Sequence, residues 1–210
     1  MQKSTIAPVT QIQLNKVLTH ALDGTEESVS PAIREFLTRA VQNPNSIAVE
    51  TIDNGFWNPI YFISCEGSNV ELVLKVCNPA WKSVKTLNEA LVIRFVNRYI
   101  PECYCPELVS FDNTGDLIGL EYILMTRCQG IPLSDIFSQL SREDKRTYSK
   151  QIAAARGALS RVTFLSDSEA MFGCVQDIQM EDEAKRIARV PGEQHVKGAK
   201  PTRPLPQYPA

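Results

Sequence analysis

The segment ELVLKV, Glu71 to Val76, has the composition of a strand, yet it carries Lys75 where a buried strand would be apolar. Further on, LNEALVIRF places Glu89 inside an apolar pattern with helical spacing. Charged side chains are rarely buried unless something pairs with them. Two opposite charges, each set in an otherwise apolar element, are therefore candidate partners. A carboxylate behind an ammonium group fixes where that positive charge points, and a positioned cation can serve an anionic ligand. The bland alternative is that Lys75 snorkels from an edge strand while Glu89 lies on a solvated helix face.

Other groups capable of chemistry are sparse. Of the two histidines, His20 lies near the N-terminus and His195 sits in EQHVKGAKP, with no aspartate after Asp182. Asp177 and Asp182 in DIQMED lack any surrounding metal-binding spacing and read as surface acids. Six cysteines are present, several of them (Cys65, Cys77, Cys128) inside core-like segments. Cys103 and Cys105 form a C-x-C without the second pair that a zinc site needs. Free, mostly buried thiols are expected, since cysteine behaves as a small hydrophobe.

Elements must bring Lys75 and Glu89 together. Residues 1–30 are polar and weakly patterned and read as an extension. SPAIREFLTRAV predicts a helix with Ser30 as N-cap and Pro31 in its first turn. IAVETID, PIYFISCE and VELVLKVC predict three strands joined by turns at DNGFWN and EGSN. SVKTLNEALVIRFVNRYI predicts a helix, with Leu87, Leu91, Phe95 and Val96 at helical spacing. PELVSFDNTGDLIGLEYILMTRC gives two further strands around DNTGD. PLSDIFSQLSREDKRTYSKQIAAARGALSRV is helical in two pieces, the second capped by Ser141 with Asp144 in its first turn. The fold class is α+β: a five-stranded antiparallel sheet with one helix inserted after strand three. The domain reading is an extension over 1–30, the sheet lobe over 31–130, helices over 131–165, and an irregular to disordered segment over 166–210.

A length of 210 residues suits one domain with a tail, and 43% hydrophobic and 22% charged residues are ordinary for a globular protein. The net charge of −2 gives no argument for nucleic acid. From Glu183 onward there are six Lys/Arg against two acids, which makes that segment +4 and residues 1–182 −6. The segment from about Glu183 onward, which ends in the Pro-rich, basic PGEQHVKGAKPTRPLPQYPA, reads as disordered and dispensable for folding. The N-terminal stretch has no long apolar region of the secretory type, and no apolar run approaches bilayer length. The expectation is a cytoplasmic protein without a membrane partner.

The order of five strands and one inserted helix resembles the N-lobe of protein-kinase-like folds. There a strand-three lysine holds the α- and β-phosphates of ATP, and a glutamate on the inserted helix fixes it. NGFWNPIYFI resembles the phosphate-side hairpin of the aminoglycoside phosphotransferase and choline-kinase-like family, with Gly55, Asn58 and Tyr61 at the recurring places. YIPECYCPELVSFDNTGDLIGLEYILMTRCQGIPL is similar to that family's passage through strands four and five into the hinge. YSKQIAAARGALSRV resembles the first long helix of its second lobe. The resemblance spans about Ala48 to Val162. It implies that the loop from Gly55 to Asn58 covers phosphates and that Lys75 and Glu89 form the phosphate-holding pair. It also implies that Met125 backs the adenine pocket and that backbone groups from Thr126 to Cys128 bond the adenine edge.

The family's H-x-D catalytic loop, its downstream asparagine and its second, metal-binding aspartate are missing, and Ser160 stands where the family often has histidine. The resemblance therefore implies ATP as the nucleotide but no magnesium ligands in this chain. The expectation is a nucleotide-binding lobe truncated before the catalytic loop and incompetent alone. The alternative is a non-catalytic, pseudokinase-type module whose bare lobe surface meets a protein partner. RPLPQYP, Arg203 to Pro209, adds a spacing that suits SH3-type grooves.

Overall fold

The computed structural model describes residues 8–24, 29–52, 58–77, 84–100, 103–160, 162–164 and 187–189. The chain folds around the expected five-stranded sheet, flanked by helices on both faces. Its strands are β1 (Ile47–Ile52), β2 (Ile60–Cys65), β3 (Glu71–Val76), β4 (Leu108–Asp112) and β5 (Tyr122–Thr126). They lie in the order β1-β2-β3-β5-β4, and every neighbouring pair is antiparallel.

The first helix, α1 (Gln11–Asp23), corrects the reading of residues 1–30 as an unpatterned extension. Thr10 and Gln13 form a reciprocal capping box: the Gln13 N–H donates to Thr10 Oγ1 at 3.2 Å, and the Thr10 N–H donates to Gln13 Oε1 at 2.9 Å. Leu14, Val17, Leu18 and Ala21 then face one side and are buried. The second helix, α2 (Pro31–Gln42), buries Ile33, Phe36, Leu37 and Ala40 at the same spacing. Pro31 opens it as expected. The Ser30 side chain accepts no capping bond, however, and its N–H instead donates to Glu107 Oε1 at 3.1 Å. These two helices cover one face of the sheet, packing on Tyr61, Ile63, Leu72, Leu74, Val76, Tyr122 and Leu124.

The inserted helix α3 (Val84–Tyr99) covers part of the other face. Its buried positions are Thr86, Ala90, Ile93 and Val96, with Ile100 just beyond its end. Of the expected stripe of Leu87, Leu91, Phe95 and Val96, Val96 is buried and the other three are half-buried, so the buried face is rotated toward Thr86, Ala90 and Ile93. A short α4 (Leu133–Ile136) precedes α5 (Arg142–Ser160), where Ser141 and Asp144 cap as expected: the Asp144 N–H donates to Ser141 Oγ at 3.1 Å. Ala158 of α5 packs against Val96 and Ile100.

The turn after β4 is built by Asp112. Its Oδ1 accepts from the Thr114 and Gly115 N–H groups at 2.8 and 3.1 Å and from Thr114 Oγ1 at 2.7 Å, while Oδ2 accepts from the Leu117 N–H at 3.1 Å. Gly115 has φ +79°, a backbone region that glycine enters without steric cost. Strands β6 (Val162–Phe164) and β7 (Ile187–Arg189) pair antiparallel, which corrects the expectation of a structureless segment from Glu183 for those three residues. His195 and the Pro-rich motif Arg203 to Pro209 lie outside the described residues.

Candidate functional site

Alternation along each strand decides what faces the α3 side. Leu72, Leu74 and Val76 enter the core with α1 and α2, so Glu71, Val73 and Lys75 project to the opposite face. Lys75 lies opposite Ile60 on β2 and Ile123 on β5. It is thus on a central strand, which removes the edge-strand alternative. Its ammonium Nζ is ion-paired with Glu89 Oε1 of α3. The lysine side chain is 15% exposed and the glutamate 31%, so the pair sits at the rim of the core with one side open.

Two polar residues that the sequence reading passed over hold this pair in place. Glu121, directly before β5, is buried, and so is Thr86 in the first turn of α3. Thr86 Oγ1 donates to Glu121 Oε2 at 2.6 Å, while the Cys77 N–H at the end of β3 donates to the Glu121 carbonyl at 2.9 Å. One residue therefore anchors both the strand that carries Lys75 and the helix that carries Glu89. The signal was present: an acid among the apolar residues of GLEYILM must find a buried donor. Cys77, next to the pair, is no activated nucleophile. Burial pushes its thiol pKa up, and a hydrogen bond with Thr86 and the nearby Lys75 charge only partly oppose that.

The expected hinge follows β5. Met125 lies opposite Val73 and Leu108 and packs with Cys77, Ala90, Ile93 and Ile123. The Thr126 N–H donates to the Glu107 carbonyl at 2.9 Å, and Thr126 Oγ1 accepts from the Glu107 N–H at 2.8 Å. The Arg127 N–H donates to the Glu71 carbonyl at 2.9 Å. Those two amides are thus committed to the sheet. Cys128 is exposed, against the expectation of a core thiol, and Cys103 and Cys105 are half-buried. The five described cysteines are free, and Cys174 lies outside the described residues.

Asn58 sits at the bend before β2, next to Pro59, whose carbonyl accepts the Val76 N–H at 3.0 Å. It is therefore at the same end of the sheet as Lys75. Tyr61 faces the other way: it is buried against α1 and α2, and its hydroxyl accepts the Val9 N–H at 3.1 Å. Gly55 lies outside the described residues, as do Asp177 and Asp182. His20 is part of a separate contact, its Nδ1 lying 3.0 Å from the Tyr122 hydroxyl. Among the described residues, no group of three or more His, Cys, Asp or Glu side chains is placed to hold a metal ion. No described helix is long and apolar enough to cross a membrane.

The site is a positioned cation on one face of a sheet, with the end of β5 at the other end of that face. No curated protein matches the chain. The phosphotransferase enzyme family, APH, matches residues 48–191, which extends past the Val162 limit of the motif resemblance. The chain belongs to the phosphotransferase enzyme family.

Proposed function

We propose that this chain is a nucleotide-binding lobe that takes ATP but does not transfer its phosphoryl group unaided. The observation that carries the reading is the Lys75–Glu89 ion pair, formed between β3 and α3 and open on one side. A lysine held by a carboxylate presents a fixed positive charge to phosphate oxygens. Val73 and Met125 supply apolar surface beside it for a base, and the Thr126 carbonyl and Cys128 N–H supply an acceptor and a donor for the base edge. Asn58 lies at the phosphate end.

ATP carries the transferable phosphoryl group and magnesium neutralises it in this family's chemistry. The protein's own contribution here is to bind and orient. No His-x-Asp pair occurs in the sequence: His20 is followed by Ala21 and Leu22, and His195 by Val196 and Lys197. Without a base to orient the acceptor hydroxyl, positioning and charge neutralisation are both incomplete. The free thiols further support a reducing, cytoplasmic setting.

The test is calorimetric titration of the purified chain with ATP. Weak binding that Lys75→Ala abolishes is the expected result, with no phosphorylation of aminoglycosides, choline or similar alcohols. Binding that survives Lys75→Ala unchanged, or turnover that requires Lys75, defeats the corresponding part of the reading.

A second reading, a module that binds a protein partner, is favoured by α5. Tyr148, Ile152 and Leu159 form an exposed apolar stripe on it. Self-association or partner capture lost on Ile152→Lys, with the fold intact by circular dichroism, would support that reading over simple nucleotide binding.

A further inference from the structure

The sheet face that carries Lys75 is covered in two different ways. At one end α3 closes over it, with Glu89 on Lys75 and with Ala90 and Ile93 packed with Ile123. At the other end a side chain, not a helix, lies over part of the face. Arg127, just beyond β5, reaches across β3 and lays its guanidinium carbon 3.8 Å from the centroid of the Phe62 ring. Phe62 is opposite Val73, and Val73 is opposite Met125, so the stack lies along the row of apolar residues assigned above to the base. Glu71 holds the guanidinium there: Arg127 Nη1 donates to Glu71 Oε1 at 3.3 Å and to Oε2 at 3.4 Å, and Gln129 Nε2 donates to Oε2 at 3.3 Å.

A flat cation stacked on an aromatic ring makes the same kind of contact that a purine makes on that ring. We propose that Arg127 is a gate on the base site: its guanidinium occupies the Phe62 face, and a purine enters by displacing it. This rests on the nucleotide-binding reading above. The Arg127 and Glu71 side chains are each 34% exposed, so the arginine can rotate outward into water without disturbing the sheet. A half-exposed ion pair adds little, and a cation–π contact adds modestly. Their joint removal should therefore improve affinity by roughly three- to thirty-fold, biasing entry rather than barring it. The gate taxes every base that stacks on Phe62 by the same factor, so it lowers affinity and leaves the choice between bases to the stacking itself.

The experiment titrates the full 210-residue chain with ATP and CTP in wild type, Arg127→Ala, Arg127→Gln and Lys75→Ala. In parallel, the Arg127 Nε–Hε resonance is followed in wild type. Both Arg127 variants should bind ATP about three- to thirty-fold tighter and CTP tighter by the same factor, because each base is relieved of the same displacement cost. The ring-shifted Arg127 signal should return to its ordinary position as ATP saturates. Equal or weaker ATP binding by both variants overturns the gate, as does an Arg127 signal that stays ring-shifted at saturation. In either case the nucleotide reading survives if Lys75→Ala still abolishes binding. If no protein in the set binds ATP at millimolar concentration, the gate falls together with the site it was assigned to guard.

Discussion

Helices α2 and α5 are written in nearly the same pattern and meet opposite fates. In α2, Ile33, Phe36, Leu37 and Ala40 fall on one face and are all buried. In α5, Tyr148, Ile152, Ala155 and Leu159 fall on one face with comparable spacing, yet among its described side chains Ala158 is the one that is buried. Ile152 is 59% exposed. The difference is supply of a partner surface. The sheet offers α2 a continuous apolar face through Tyr61, Ile63, Leu72 and Leu74, whereas α5 meets the end of α3 at Val96 and Ile100 through Ala158 in its last turn. An amphipathic pattern fixes that a helix has an apolar face. It does not fix that anything within the described chain covers that face.

The contrast can be broken most sharply in the core. Leu72→Ala removes a wholly buried side chain between β3 and the two N-terminal helices. It should cost about 2–5 kcal/mol of unfolding free energy by urea titration. A cost below about 1 kcal/mol would mean that the α1–α2 layer is as loosely held as α5.

Asp112→Ala comes next, because it removes the acceptor of three backbone N–H groups and one hydroxyl in the β4–β5 turn. A loss of about 1–2 kcal/mol is expected at pH 7. Burial raises the Asp112 pKa, but the Thr114 hydroxyl and the backbone N–H groups outweigh it, so the folded value lies below the ordinary one. A depressed carboxyl stabilises the fold above its unfolded pKa of about 3.9 and loses that contribution as pH falls through the folded value. The stability gap between wild type and variant should therefore narrow as pH falls below about 4, and a gap that does not change with pH would refute the charge-based account.

Thr10→Ala opens the capping box and should cost about 1 kcal/mol, since α1 is part of the core rather than an appendage. The smallest effect belongs to α5: Ile152→Ser should change stability by less than about 0.5 kcal/mol in the isolated chain. A larger loss would show that the α5 stripe is already covered in solution.

Much of the fold was legible because its signals are local. The alternation in PIYFISCE and VELVLKVC, the turn residues between them, and the lysine and glutamate set in apolar elements each speak within a few positions. Helix α1 was just as legible through the T-x-x-Q box at Thr10 to Gln13 and the spacing of Leu14, Val17, Leu18 and Ala21. It was passed over because its mean polarity hides one good face. Tyr61 shows a different limit. Alternation says that Tyr61 and Phe62 point to opposite faces, but not which face α3 will cover. The Arg127–Phe62 stack spans a whole intervening strand, and no pattern along one strand announces it.

Glu107 ties together parts of the molecule that lie far apart in sequence. Its carboxylate receives the Ser30 N–H at the mouth of α2, and its main chain exchanges contacts with Thr126 at the end of β5. The consequence belongs to motion. The Ser30 and Thr126 amides are shielded by one residue, so their deuterium uptake should rise and fall together under native conditions. A strand end fastened in this way cannot tilt alone: whatever bends it on the α3 side pulls on the first turn of a helix on the opposite face of the sheet.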